Sequence, residues 1–425
     1  MLTGMQSRRQ ASRACTLAVR RGDPARAQLG FGGVVMLVLV ISIAAGAALF
    51  SFMRSNKLPL AQERKNGDVL INAKAALLGY AIARGVSRCT TPSNAAACAQ
   101  EEEARPGELP CPDTDGDGLE NRPCNSSILL GRLPWKTLGI PEPKDSAGET
   151  LWYALSGPFR DWDSNPYTSA SAKQLNSDTR GNITVRNGDG SNLTTDAVAV
   201  VFAAGAPFGT QNRSTSVVAT CGLTNANLRR SECSSNYLES VTLLTAAAQT
   251  HGPFIRVAAG PRSSTFNDQV IFLTTSELMP PIEMRIGTEV KKLLQDYRAN
   301  SICQCYPWAD TWPYSGGIAD IGQNRGRFPT DPFPEDWGSG SIPRLPTWLG
   351  ANDWHNLFWY SVSKQNADPD VTKPCRSCSA SEMLTVDGTP VSALFFTPGT
   401  PRDARPRLGD TTRVNNLSLY LGDAA

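Results

Sequence analysis

Leu151-Trp-Tyr-Ala-Leu-Ser156 returns late in the chain as Phe358-Trp-Tyr-Ser-Val-Ser363. Both runs are short, aromatic and apolar, and a hydroxyl residue closes each. That pattern predicts a buried strand. Its recurrence predicts a duplicated unit. Five further pairs fall in the same order along the chain. Lys74-Ala-Ala-Leu-Leu-Gly-Tyr80 matches Lys291-Lys-Leu-Leu-Gln-Asp-Tyr297. Leu109-Pro-Cys-Pro-Asp113 matches Phe328-Pro-Thr-Asp331, and Leu133-Pro-Trp135 matches Leu345-Pro-Thr-Trp348. Val200-Val-Phe-Ala-Ala-Gly-Ala-Pro207 matches Leu394-Phe-Phe-Thr-Pro-Gly-Thr-Pro401. Asn267-Asp-Gln-Val-Ile-Phe-Leu273 matches Asn415-Asn-Leu-Ser-Leu-Tyr-Leu421. The boundary between copies is expected near Pro280-Pro281, with a helix over 282–299 opening the second.

Each copy reads as a helix, an irregular loop, then strands. The apolar runs 151–155, 197–204 and 269–274 are bounded by turn residues. One copy is therefore an α+β unit, a helix packed on an antiparallel sheet. The first helix is expected from Leu60 to Arg84, where Val69, Leu70, Ala73, Ala76, Leu77 and Tyr80 recur at three- and four-residue spacing. Upstream, Phe31 to Met53 carries no charge. As a helix it would be roughly 34 Å long, enough for a bilayer core. Residues 1–30 hold six arginines against the single acid Asp23. That asymmetry predicts a cytoplasmic N-terminus and export of everything after residue 53. The expected fold class is α+β: a long N-terminal transmembrane helix, then two helix-plus-antiparallel-sheet domains, loop-rich and disulfide-stapled. The expected segments are a basic leader (1–30), the transmembrane half of the helix (31–53), a first domain (54–281) and a second, degenerate one (282–425).

Leu29-Gly30-Phe31, between the basic leader and the apolar run, resembles the processing site of type IV prepilins. LPCPDTDGDG from Leu109, GRLPWKTLGI from Gly131 and LWYALS from Leu151 resemble pilin-like proteins with such N-termini. The resemblance covers most of 31–285 and, more weakly, 286–425. It implies two pilin-like domains and cleavage by a prepilin peptidase between Gly30 and Phe31, with methylation of Phe31. It further implies a minor pilin or pseudopilin, a structural subunit of a type IV pilus or type II secretion filament, with tip and shaft both open as its position. Its partners would be other pilin or pseudopilin subunits, the prepilin peptidase and the bacterial inner membrane, with the bulk periplasmic. One residue departs from the family pattern. The family usually has Glu as fifth mature residue, pairing a neighbour's N-terminal amine; this chain has Val35. The alternative is a signal-anchored periplasmic enzyme or a carbohydrate- or ligand-binding protein, and cleavage at Gly30 discriminates the two.

Of the 11 cysteines, Cys15 lies in the leader. Cys89, Cys98, Cys111, Cys124, Cys221, Cys233, Cys303, Cys305, Cys375 and Cys378 all follow the apolar run. An even number in an exported segment favours disulfides, and proximity suggests 89–98, 111–124 and 221–233. Cys303-Gln-Cys305 with Cys375-Arg-Ser-Cys378 also has the composition of a four-thiolate zinc site, or of a redox motif. Asp113-Thr-Asp115-Gly-Asp117-Gly118 alternates carboxylates with glycine, a pattern that wraps calcium, with Glu120 and Asn121 as further oxygen donors. The same composition also makes a plain solvated turn. The twelfth position of an EF-hand would be Cys124 in place of Glu.

Other chemistry is thinly represented. No GxSxG, GxxxxGK[ST], HExxH or dinucleotide fingerprint occurs. Histidines number 2 and the net charge is +2, with no concentrated basic face beyond the leader. Nucleic acid is therefore not an expected partner, and no catalytic residues are assigned. Asp161 and Asp163 flank Trp162, as a carboxylate pair or as a surface turn. The aromatic clusters at 306–314 and 348–360 read as core or as a sugar- or partner-binding platform.

Overall fold

A computed structural model describes residues 15–16, 60–84, 105–122, 124, 129–160, 174–218, 229–243, 255–259, 266–311, 323–332, 334–367, 383–397, 399–401, 403, 405–408, 410–416 and 418–421. In chain order the elements begin with strand β1 (Cys15–Thr16) and helix α1 (Leu60–Ala83). Seven strands follow: β2 (Leu130–Arg132), β3 (Trp152–Leu155), β4 (Ile183–Asn187), β5 (Asn192–Ala203), β6 (Val241–Leu243), β7 (Ile255–Ala259) and β8 (Gln269–Thr274). Helix α2 (Thr275–Asn300) then leads to β9 (Arg325–Arg327), the short helices α3 (Thr347–Ala351) and α4 (Trp354–Leu357), and β10 (Trp359–Val362). Helix α5 (Lys364–Ala367), strands β11 (Leu384–Val386), β12 (Thr389–Val391) and β13 (Ala393–Phe396), and helices α6 (Thr411–Val414) and α7 (Ser418–Leu421) complete the chain.

Helix α1 buries Asn66, Leu70, Ala73, Leu77 and Ala81 along one stripe, while Arg64, Lys65 and Asp68 stay at least partly in water. Apolar residues three and four apart give that stripe, and burying it stabilises the helix more than propensity does. Helix α2 buries Leu278, Ile282, Ile286, Val290, Leu294 and Tyr297 in the same way. It starts at Thr274, whose amide donates to Glu277 Oε2 at 2.9 Å, a capping contact that satisfies a free helix-end donor. Lys74 Nζ meets Glu277 Oε1 at 2.6 Å and ties α1 to this cap. Helix α2 runs directly out of β8 and passes through Pro280 and Pro281 without ending. The expected break at Pro280-Pro281 is therefore replaced by one helix shared between the halves.

The first sheet has seven strands in the order β2-β3-β5-β4-β7-β6, with β8 added on the other side of β5. It is mixed, because β4 and β7 run parallel. The second sheet is β1-β13-β10-β9, all antiparallel, and β11 with β12 forms a separate hairpin. One apolar core joins α1, α2, the inner faces of β3, β5 and β8, and Phe328, Phe358, Tyr360 and Phe395 of the second half. A second core lies on the outer face of the first sheet, around Trp152, Val200, Phe202, Val257 and Tyr237.

The duplication is visible in hydrogen bonds. Arg132 faces Trp152 and Gly131 faces Tyr153 across β2–β3; Arg327 faces Trp359 and Gly326 faces Tyr360 across β9–β10. Next inward, Tyr153 faces Val201 and Tyr360 faces Phe395. The Tyr153 hydroxyl donates to Pro110 O at 3.2 Å, and the Tyr360 hydroxyl donates to Pro307 O at 3.0 Å. Leu109 N donates to Phe159 O, and Tyr306 N to Asn366 O. Asp113 bridges Arg132 as Asp310 bridges Arg327. These contacts correct two of the matches. The counterpart of Leu109–Asp113 is Tyr306–Asp310, and that of Leu133-Pro134 is Phe328-Pro329. The last match also separates: Gln269–Thr274 is a strand, whereas Ser418–Leu421 is helical.

The expected fold class and cellular placement are corrected here. Among the described residues no helix is long and apolar enough to cross a membrane. Helix α1 carries Glu63, Arg64, Lys65, Asp68 and Lys74 along its length, and charges so spaced have no place in a hydrocarbon core. The expected transmembrane half, 31–53, lies outside the described residues. The architecture is a curled mixed sheet and a smaller antiparallel one around a shared core, in place of two separate helix-plus-antiparallel-sheet domains after a membrane helix. The single-pass inner-membrane placement rested on that helix and is set aside with it.

Candidate metal centre in the 111–124 loop

The acidic loop leaves the core at Pro110 and returns to it at Cys124. A disulfide joins Cys111 to Cys124, with Cα atoms 5.7 Å apart. Closing a loop of about 15 residues stabilises by roughly 3 kcal/mol in the chain-entropy picture. Asp113 anchors the interior of the loop. Its backbone pairs with Arg132 in both directions, at 3.0 and 2.6 Å. Its Oδ1 accepts from the amides of Asp115 at 3.2 Å and Gly116 at 2.6 Å, and its Oδ2 from Gly118 at 2.8 Å. The chain thus winds around one buried carboxylate. Gly118 has φ +87°, and a Cβ there would meet the Trp135 indole at 2.6 Å; a side chain has neither the backbone region nor the room.

Asp113, Asp115 and Asp117 each bring a carboxylate oxygen to within 4.8 Å of the other two, Asp113 buried and the others exposed. An oxygen-only trio of this kind fits a hard cation such as calcium. Asp113 Oδ2, which accepts one amide, keeps acceptor capacity beyond that contact. Glu120 is not in the trio: its Oε2 accepts from Cys111 N at 3.0 Å and its Oε1 meets Arg122 at 3.1 Å. Asn121 is a tie within the loop. Its Oδ1 accepts from Thr114 N, and its Nδ2 donates to Asp115 Oδ2 at 3.2 Å. Lys136, which the sequence did not single out, donates to Asp117 O.

Burial pushes the Asp113 carboxyl above the usual carboxylate range, against the Gly118 and Gly116 amides that pull it down. Asp115 moves the other way. Its slight burial is outweighed by hydrogen bonds from the Asn121 side chain and the Asp117 amide. The two carboxylates thus hold one proton less readily at Asp115 than at Asp113. In the second half the position of Asp113 is taken by Asp310, not by Asp331, and Asp310 has no acidic trio beside it among the described residues.

The remaining expected sites fall as follows. Cys303 and Cys305 are joined to each other, so their thiolates are not available to zinc; this overturns the four-thiolate reading. Cys233 is also disulfide-bonded. Gly30, Phe31, Cys89, Cys98, Cys221, Cys375 and Cys378 lie outside the described residues, as do Asp161 and Asp163. Tyr306, Trp308, Trp348, Trp354 and Tyr360 are buried; these aromatics pack the second half and present no face to a sugar.

Sequence reasoning missed a second acidic pair at the far end of the first sheet. Asp268, beside Glu239, has its carboxyl pushed up to about 7 by burial and by the Glu239 charge. It accepts from Ser240 N at 2.8 Å. No periodicity or motif marks these residues, since they meet only when β6 and β8 are both in place.

Searches against family models, curated proteins and solved structures find no match to this chain.

Proposed function

We propose that this chain is a non-catalytic, pilin- or pseudopilin-like subunit of a type IV pilus or type II secretion filament, rare rather than repeating. The observation that carries the reading is the prepilin-type Gly30-Phe31 junction between the basic leader and the apolar run. Helix α1 packs on β5 and β8, and helix α2 packs on β5, β8, β13 and β1. Bulk supports a rare position, since 425 residues would crowd every repeat of a fibre. The test is the mass of the mature N-terminal peptide, from cells with and without a prepilin peptidase. A methylated Phe31 start, lost with the peptidase, is the expected result. An intact leader, or a cut elsewhere, refutes the filament reading.

Within that reading, calcium held by Asp113, Asp115 and Asp117 would order the loop on the outer surface of the first half. A bound divalent cation would neutralise three clustered carboxylates and stabilise by mass action. Calcium at a hundredfold excess over its dissociation constant should add about 3 kcal/mol. The paired change Asp115→Asn and Asp117→Asn should abolish that gain. A melting temperature indifferent to calcium and to chelator in the unaltered chain would sink the metal assignment and leave the filament reading untouched.

A further inference from the structure

The tripeptide Asn-Gly-Asp occurs twice, as Asn66-Gly67-Asp68 and as Asn187-Gly188-Asp189. A basic residue precedes each, Lys65 or Arg186. This sequence carries its own chemistry. The amide nitrogen that follows an asparagine can attack the side-chain carbonyl carbon and close a five-membered imide. Glycine in second place leaves that approach open, because it has no side chain in the way. The two copies stand in opposite surroundings.

Asn66 lies within helix α1 and is 3% exposed. Its Oδ1 accepts from Ser146 N at 2.6 Å, across 80 positions of chain. Inside a helix the next amide is committed to the carbonyl four residues back. Both reacting groups are therefore engaged elsewhere, and ring closure requires α1 to open locally.

Asn187 is the last residue of β4, where the chain turns towards β5. Its main chain is fixed on both sides: Gly190 N donates to Asn187 O at 2.9 Å, and Asn187 N donates to Ser191 O at 2.7 Å. Asp189 Oδ1 accepts from Ser191 N at 2.8 Å and holds the turn closed. Gly188, Asp189 and Gly190 are exposed, so water reaches the turn. The Gly188 amide donates to Asn187 Oδ1 at 2.9 Å. The nucleophile thus lies against the very carbonyl that it attacks.

We propose that Asn187 is a self-modification site. Gly188 N bonds to Asn187 Cγ, the Cγ–Nδ2 bond breaks, and ammonia departs with the amide proton. Water then opens the imide at either carbonyl and leaves an aspartyl or an isoaspartyl residue at position 187. Either product adds a negative charge beside Asp189. The isoaspartyl form also lengthens the main chain by one carbon between β4 and β5. Water is the one external reactant, and the step does not rest on the filament reading.

The test is peptide mapping by mass spectrometry of the full chain, incubated at mildly alkaline pH. The peptide holding Asn187 should gain about 1 Da and split into two chromatographic forms. In the same sample the peptide holding Asn66 should convert about tenfold more slowly or less, because α1 must open first. In urea the two should convert at like rates, since the tripeptide is the same. Gly188→Ala and Asn187→Gln, made separately, should each lose most of the conversion at 187 and leave that at 66 unchanged. A folded chain whose Asn187 keeps its mass while the urea-unfolded chain converts overturns the proposal. So does equal conversion at 66 and 187 in the folded chain.

Discussion

Gly326 and Gly131 occupy the tightest points of the two halves. A Cβ at Gly326 would sit 1.9 Å from Asp310 O, and one at Gly131 would sit 2.4 Å from Asp113 O. Each glycine lets a neighbouring backbone close onto its strand. Gly326→Ala should cost about 3 kcal/mol, toward the upper end of overpacking penalties, and Gly131→Ala nearly as much. Urea unfolding of the two variants measures both. Asp268 gives a pH test. Its folded carboxyl titrates at about 7, above the ordinary unfolded value. The folded chain therefore binds the extra proton, and stability falls as pH rises from about 4 to about 7, then levels. Asp268→Asn should flatten that slope, recovering on the order of a few kcal/mol at pH 8. An unchanged slope in the variant excludes Asp268 as its source. The acidic trio was readable because its chemistry is consecutive in sequence. Asp268 and Glu239 were not, because only sheet closure puts them side by side.

Among elements, α2 shows best why local signals fall short. Two consecutive prolines predict an end to a helix, since each removes an amide and crowds the preceding turn. Here Met279 and Ile282 on either side of them are wholly buried, and that packing outweighs the local cost. Strands β3, β5 and β8 sit where the apolar runs 151–155, 197–204 and 269–274 stand, because a buried strand writes its own pattern. The repeat register was misread at Phe328-Pro329, where two Pro-containing motifs lie close together and only the Arg327–Trp359 pairing tells them apart. The C-terminal segment gives the element-scale prediction. Arg407 is wholly buried and its Nε donates to Asp178 Oδ1 at 2.8 Å, across 229 positions of chain. Asp178→Ala leaves that guanidinium buried without its carboxylate. It should cost 3 to about 5 kcal/mol and expose 399–421 to proteolysis before the rest of the chain.

At the scale of the whole molecule, the halves share one core. Leu70 and Leu77 of α1, Ile286 and Val290 of α2, and Phe358 and Phe395 of the second sheet belong to the same apolar cluster. Thermal unfolding should therefore be a single transition, with calorimetric and van't Hoff enthalpies in agreement. Two resolved transitions would mean that the halves are separable. The helix does not break at Pro280-Pro281, because sequence shows a repeat's period but not which surfaces of the copies meet. The shared helix adds a constraint of phase. Inserting one residue midway along α2 would turn everything after it by about 100° and advance it by 1.5 Å, driving Phe395 and its neighbours out of mesh with the first sheet. The copies differ in their loops and in their strands, β5 having 12 residues and β13 having 4, while α2 works as a keyed shaft on which both halves are mounted.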